Sequence, residues 1–212
     1  MPDRKPDAVI LVFARAPQPG ATKTRLMPLL GAEGAAALHK RLVRQALATA
    51  AATGTAELWC APDCSDPFLQ TAAADCGAAL HAQRGANLGE RMADALADAL
   101  GRKPYALCIG SDCPALTARH LQQAVAALRE GHDAVLAPAE DGGYALVGLA
   151  RPAPRLFAGI DWGGPAVMAQ TREHLRAGGL RWFELETLWD VDRPDDYRRL
   201  QQSGLLDALP SA

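Results

Sequence analysis

Two patterns of apolar positions alternate along this chain. Short, nearly continuous apolar runs mark strands buried on both faces, and between them apolar residues recur three and four apart, as on amphipathic helices. Ala8 to Ala14, Thr55 to Cys60, Ala78 to Gln83, Tyr105 to Ile109, Asp133 to Pro138, Tyr144 to Leu149 and Leu180 to Leu185 predict seven strands. The spacing predicts a long helix over Ala32 to Thr53, with Leu38, Leu42, Val43, Ala46, Leu47 and Ala50 inward and His39, Lys40, Arg41 and Arg44 outward. Further helices are expected over Asp66 to Cys76, from the RGANLGERM segment to about Leu100, over Ala118 to Glu130, from the DWGGP segment to about Arg176, and from Pro194 onward. Thr117 is a good N-cap for the helix over Ala118 to Glu130, with Leu116 and Leu121 spaced as a hydrophobic staple. Strands alternating with helices predict an α/β sheet. The Asp141-Gly142-Gly143 turn between two apolar runs predicts one antiparallel member in it.

The candidate chemistry sits where predicted strands end. Tyr105 to Ile109 gives way abruptly to Gly110, Ser111, Asp112, Cys113 and Pro114. In open α/β sheets the ligand crevice lies beyond the carboxyl ends of the strands, so Asp112 stands where a substrate or metal is expected, although aspartate is also common in turns. After the first strand, Arg15 to Leu26 carries Arg15, Lys23 and Arg25 with no acidic residue. Such a loop can hold a diphosphate, Lys23 as a point charge and Arg25 as a two-pronged donor, or can be a solvated turn. It matches neither the P-loop nor the dinucleotide fingerprint. Near the end, Asp190, Asp192, Asp195 and Asp196 fall within seven residues. The last two suit the positive end of a helix; Asp190 and Asp192 precede it and are less well explained by capping. Magnesium and manganese prefer oxygen and commonly bind one or two carboxylates plus substrate phosphates, which Asp112 with Asp192 or Asp190 can supply. Asp112 and Asp192 are therefore expected to face one crevice.

Composition narrows the classes. A chain of 212 residues with 49% hydrophobic side chains suits a single domain over 1–212. A net charge of −2 from 22 basic and 24 acidic residues offers no global field for nucleic acid or an anionic membrane, so any charged ligand must be held locally. Five cysteines, an odd number without C-x-x-C spacing, fit a reducing, cytoplasmic compartment and no zinc site. A polar, loose start, MPDRKPD, is followed by too few apolar residues for a signal peptide or a membrane span.

FARAPQPGATKTRL (13 to 26), GANLGERM (85 to 92), GSDCPAL (110 to 116), PAEDGGYALVGL (138 to 149) and LWDVDRPDD (188 to 196) together resemble a bacterial family of glycosyltransferase-A-fold proteins. That family was long listed as a domain of unknown function, and some members are labelled arsenosugar-biosynthesis glycosyltransferases. The resemblance implies a three-layer nucleotide-diphospho-sugar transferase (GT-A) fold, its mostly parallel seven-stranded sheet holding one antiparallel strand. It implies that Arg15, Lys23, Thr24 and Arg25 lie against nucleotide phosphates and Gly89 near the base or ribose. It puts Asp112 at a metal position with Asp192 as second carboxylate and Asp190 as a lesser candidate. Asp112 and Asp141 are the implied catalytic carboxylates; Gly142, Gly143, Tyr144 and Trp162 are the implied wall of the sugar or acceptor pocket. Ser111-Asp112-Cys113 departs from the Asp-x-Asp of many sugar transferases, and Trp162 is followed by two glycines where Ser and Thr are the family pattern. The implied activity is a Mg²⁺- or Mn²⁺-dependent transfer of sugar from a nucleoside diphosphate to a small acceptor. A phospholactate guanylyltransferase-like nucleotidyl transfer and a non-catalytic nucleotide-binding protein are the alternatives. The base, sugar, acceptor and oligomeric state stay open.

Overall fold

Each apolar run becomes a strand of one sheet in a computed structural model that describes residues 7 to 212. The polar start expected over Met1 to Pro6 lies outside the described residues. The strands are β1 (Ala8–Arg15), β2 (Thr55–Ala61), β3 (Ala79–Ala82), β4 (Tyr105–Gly110), β5 (Ala134–Pro138), β6 (Tyr144–Leu149) and β7 (Trp182–Glu184). Their order is β3-β2-β1-β4-β6-β5-β7. All pairings are parallel except those of β6, which runs antiparallel to both β4 and β5. This is the mixed, mostly parallel seven-stranded sheet that the alternation and the DGG turn predict.

The helices are α1 (Met27–Ala51), α2 (Pro67–Cys76), α3 (Leu88–Leu100), α4 (Ala118–Arg129), α5 (Val167–Ala177), α6 (Pro194–Gln202) and α7 (Leu205–Ala208). They cover both faces of the sheet, and β1 shows why its run carries no polar alternation. Ile10, Val12 and Ala14 pack with residues of α1, α2 and α4, while Val9, Leu11 and Phe13 pack with residues of α3 and α5. Successive side chains of a strand point to opposite faces, and here both faces are core.

α1 starts at Met27, five residues before the expected Ala32, with Pro28 in its first turn and a break at Gly31 (φ 70°, ψ 172°). Pro28 and Gly31 hide that first stretch from a periodicity reading. His39 is a correction. Expected on the outer face, it is buried at 4% exposure, because it lies one turn from Val43 and Ala35 on the inward side. Thr117 caps α4 as expected, its N–H donating to His120 Nδ1 at 3.0 Å.

A third apolar cluster fixes the site's frame. Leu26, Ala35, Leu38 and Leu42 pack against Val191, Leu200 and Leu209. The end of the basic loop and the D-V-D segment are thereby clamped to one another although more than 160 positions apart, since Lys23 and Val191 differ by 168. No helix among the described residues is long and apolar enough to cross a membrane.

Candidate functional site

β1 and β4 are parallel neighbours, and the chain leaves β1 towards β2 on the other side, so the sheet switches direction between them. Crevices of this kind lie beyond the carboxyl ends of such strands. The basic loop leaves β1 there and Ser111-Asp112-Cys113 leaves β4 there. The third contributor arrives through backbone bonds. Leu188 N–H donates to the Pro138 carbonyl (2.8 Å) and Val191 N–H to the Asp112 carbonyl (2.9 Å), so residues 188–192 run along the ends of β5 and β4. Those bonds carry Asp190 and Asp192 to the rim beside Asp112.

Lys23 is the hub. Its ammonium donates to the Val191 carbonyl at 2.6 Å, lies 3.1 Å from Asp112 Oδ2 and is 4.0 Å from Asp192 Oδ1. Those two carboxylate oxygens are therefore at most 7.1 Å apart, the sum of the two ion-pair distances. Arg25 pairs with the other oxygen of Asp192. The Lys23 side chain is 3% exposed, whereas that of Arg25 is 61% exposed. Lys23 also has φ +52°, the one left-handed non-glycine conformation among the described residues. Holding a residue there costs on the order of 1–3 kcal/mol, and the three contacts of its ammonium offset that cost. Burial works to raise the Asp112 carboxyl, but the Lys23 ammonium, with hydrogen bonds from Lys23 and Ser111, outweighs it and holds the carboxyl below the ordinary range.

Two cavities meet at Asp112. The polar one, about 520 Å³, is bordered by Arg15, Lys23, His39, Arg91, Asp112 and Asp192, with Asn87, the N-cap of α3. The other, about 280 Å³, is bounded by apolar side chains including Phe13, Met92, Val147 and Trp162, with Asp112, Asp141 and Asp190 as its charged lining. Leu88, an exposed leucine, borders both.

The anticipated residues divide among these places. Arg15 and Lys23 line the polar cavity, while Arg25 reaches its edge through Asp192. Thr24 is exposed, opens a short 3-10 turn and lines neither cavity. Gly89 does not face the polar cavity; a Cβ there would stand 2.5 Å from Trp162 Nε1 and 2.6 Å from the Phe157 carbonyl oxygen. Its glycine lets α3 pack on the Trp162 segment. Gly143, Tyr144 and Trp162 line the apolar cavity, Tyr144 meeting Trp162 edge-on with centroids 6.3 Å apart. Gly142 lies behind that wall: its carbonyl accepts from Met168 N–H (2.8 Å), which anchors the turn to α5. Asp141 Oδ1 accepts from Gly143 N–H at 2.8 Å, so this carboxylate shapes the turn that carries it as well as lining the cavity.

His39 is the site residue the sequence reading places wrongly. Nε2 is 3.0 Å from the Arg15 carbonyl oxygen, while Nδ1 lies 3.9 Å from Asp112 Oδ1, buried and without a hydrogen-bond partner. Burial lowers its pKa more than Asp112 raises it, which favours the neutral ring.

Asp190 is held in a conflict of like charges. Burial first, then the facing carboxylates of Asp141 and Asp112, push it up to about 6. The folded state thus keeps this proton to higher pH than the unfolded chain. Stability falls as pH rises from about 4 to about 6, and the cost is complete above that. Replacing Asp190 with Asn should raise the unfolding free energy by about 1–3 kcal/mol at pH 8 and by little at pH 4, read by urea denaturation with chelator present. An equal gain at both pH values would trace the effect to packing instead of charge.

Among the described residues no cluster of three or more His, Cys, Asp or Glu side chains is arranged to hold a metal. Asp112 and Asp192 nonetheless share the Lys23 ammonium, so their carboxylates border one crevice. All five cysteines are free thiols.

Comparison with known proteins agrees with this architecture. A search of curated proteins finds no match. A crystal structure from Desulfovibrio desulfuricans G20, provisionally named a nucleotide-diphospho-sugar transferase, is 31% identical. It aligns over 94% of this chain and 88% of its own, with a TM-score of 0.86. A nucleotidyl transferase from Methanothermobacter thermautotroptrophicus shares the fold at 15% identity, TM-score 0.64, over 95% of this chain and 98% of its own. So does glucosyl-3-phosphoglycerate synthase from Mycobacterium tuberculosis, solved with Mn²⁺, uridine diphosphate and glucosyl-3-phosphoglycerate. It is 12% identical, with a TM-score of 0.52, over 99% of this chain and 82% of its own. A family profile covers residues 42–164, including β2 to β6 and the Asp112 and Asp141 turns, and the chain belongs to that family, DUF2064, described as uncharacterized protein conserved in bacteria.

Proposed function

We propose that this protein is a divalent-metal-dependent glycosyltransferase that moves a sugar from a nucleoside diphosphate to a small acceptor. The observation that carries the reading is the meeting of two cavities of different chemistry at one carboxylate, Asp112, under a crossed set of ion pairs. Lys23 and Arg25 now neutralise Asp112 and Asp192. A metal diphosphate presents the complementary set, a cation for the two aspartates and anions for Lys23 and Arg25, so binding exchanges partners without leaving a charge unpaired. The bound cation supplies charge neutralisation on the leaving diphosphate. Lys23, fixed by the Val191 carbonyl, holds its ammonium where that charge develops and needs little reorganisation to do so. Asp112, at the junction, faces the sugar carbon's side of the donor, and Asp141 and Asp190 face the acceptor from the second cavity. The provisional name of the 31% identical relative, nucleotide-diphospho-sugar transferase, is compatible with this reading, and arsenosugar-biosynthesis-type transfer is its narrower form.

Replacing Lys23 with Ala should weaken nucleoside diphosphate binding by about 3 kcal/mol and replacing Arg25 by about 1.5 kcal/mol, the range of a charge-assisted hydrogen bond. The order follows burial, because solvent screens the exposed arginine. Calorimetry on folded variants reads this directly. Unchanged affinity in both would return the loop to a solvated turn.

The reaction is tested by products. Glycosyl transfer releases an intact nucleoside diphosphate, whereas nucleotidyl transfer attacks the α-phosphorus and releases pyrophosphate. Slow Mn²⁺-dependent hydrolysis of a nucleotide sugar without acceptor is expected. Pyrophosphate release from a triphosphate in the presence of a phosphorylated acceptor, with all nucleotide sugars intact, would establish nucleotidyl transfer in its place. Nucleotide binding without turnover of either kind would establish a non-catalytic protein.

A further inference from the structure

The charges of the two cavities are segregated. Arg15, Lys23, His39 and Arg91 all border the polar cavity. The smaller cavity has no Lys, Arg or His in its lining, and its three charged residues are all aspartates. Its walls are otherwise apolar or aromatic, with Tyr144 and Trp162 set edge to face. The cation that reaches this cavity's aspartates is Lys23, 3.1 Å from Asp112 Oδ2, and its ammonium is already held by Asp112, Asp192 and the Val191 carbonyl on the polar side.

From this segregation we infer that the acceptor is a non-anionic molecule with an apolar or aromatic body and a free hydroxyl, taken in neutral or cationic form, and that phosphorylated and carboxylated acceptors are rejected. The inference deepens the glycosyltransferase reading and rests on its division into donor and acceptor cavities. A phosphate or carboxylate entering the smaller cavity would lose its water and meet the like charges of Asp141 and Asp190 with no cation in the cavity lining to pair with it. A neutral ring loses nothing of this kind and gains burial against Phe13, Met92 and Trp162. An ammonium gains further from the carboxylates and from the aromatic faces. A cation bound by Asp112 and Asp192 would stand at the junction of the two cavities with the donor diphosphate to balance its charge, while Asp141 and Asp190 line the smaller cavity and not the polar one.

The test uses the full chain saturated with Mn²⁺ and a nucleoside diphosphate. Three phenols of similar size and different charge are titrated by calorimetry: tyramine (cationic), tyrosol (neutral) and para-hydroxyphenylacetate (anionic). Tyramine and tyrosol are expected to bind at least tenfold more tightly than the anion, and the Asp141→Asn/Asp190→Asn double variant should shrink that gap to less than threefold. Equal affinities, tighter binding of the anion, no binding of any of the three, or a gap unchanged in the folded double variant would each overturn the inference. Binding is read without turnover, so this failure is separate from that of the reaction class: nucleotide-sugar hydrolysis with anion-selective binding would leave the glycosyltransferase reading standing and sink only the acceptor class.

Discussion

Replacing Asp112 with Asn should lower nucleotide-sugar turnover by on the order of 100- to 1000-fold, the scale on which loss of one preorganised electrostatic contact is felt at a reacting centre. The residue borders both cavities and is 3.1 Å from the Lys23 ammonium. Its amide replacement keeps the shape but loses the charge that would hold a divalent cation and that now fixes Lys23. The fold should be nearly unaffected. Asp112's side chain is 46% exposed, and Lys23 keeps its bonds to Val191 and Asp192. Initial rates at saturating donor, with Mn²⁺ titrated in parallel, check both halves: turnover falls and metal affinity falls with it. Parent-like turnover in a folded variant would place the chemistry elsewhere.

Gly142→Ala should be the most destabilising single-atom-group change in the site, costing on the order of 3 kcal/mol or more. A Cβ at this position would lie 2.1 Å from the Pro165 carbonyl oxygen, a backbone atom that cannot swing aside as a flexible side chain could. The backbone there also sits at φ +92°, which side-chain-bearing residues rarely adopt. Overpacking of this kind typically costs about 1–3 kcal/mol, and the backbone conformation adds to it. Moving Gly142 also disturbs the Met168 hydrogen bond that ties the turn to α5, so Gly143 and Tyr144 on the cavity wall would shift with it. Thermal unfolding should show a large drop in midpoint, with acceptor-dependent turnover reduced more than donor hydrolysis. An unchanged midpoint would show that the Pro165 segment yields freely and does not pin the turn.

Part of this architecture is readable without coordinates because it rests on local physics. Tyr105 to Ile109 reads as a doubly buried strand since no polar residue interrupts it, and all four residues 106–109 are buried in β4. The DGG turn announces β6's reversed direction because glycine lowers the cost of a tight return. The family motifs, being contiguous, mark the turns that the structure places at the crevice. His39 and Gly89 show the other side. His39 lies one turn from Ala35 and Val43 on the inward side of α1, and the partners that accommodate its polar ring there, the Arg15 carbonyl and Asp112, come from other segments. A glycine in a strand-exit segment looks like room for a ligand, whereas Gly89 makes room for Trp162, 73 positions away.

Neighbouring residues suffice for the alternation of strands and helices and for the antiparallel reversal, and composition alone for the near-neutral charge and the set of charged candidates. Tertiary structure decided which candidates act together. Lys23, Asp112 and Asp192 converge through the β1–β4 switch, the Val191–Asp112 backbone bond and the cluster around Leu26 and Val191. It also decided that the basic residues border one cavity and Asp141 with Asp190 the other. Charge pairing and cavity lining depend on distances across the fold, and no local pattern in the chain encodes a distance between segments 80 residues apart.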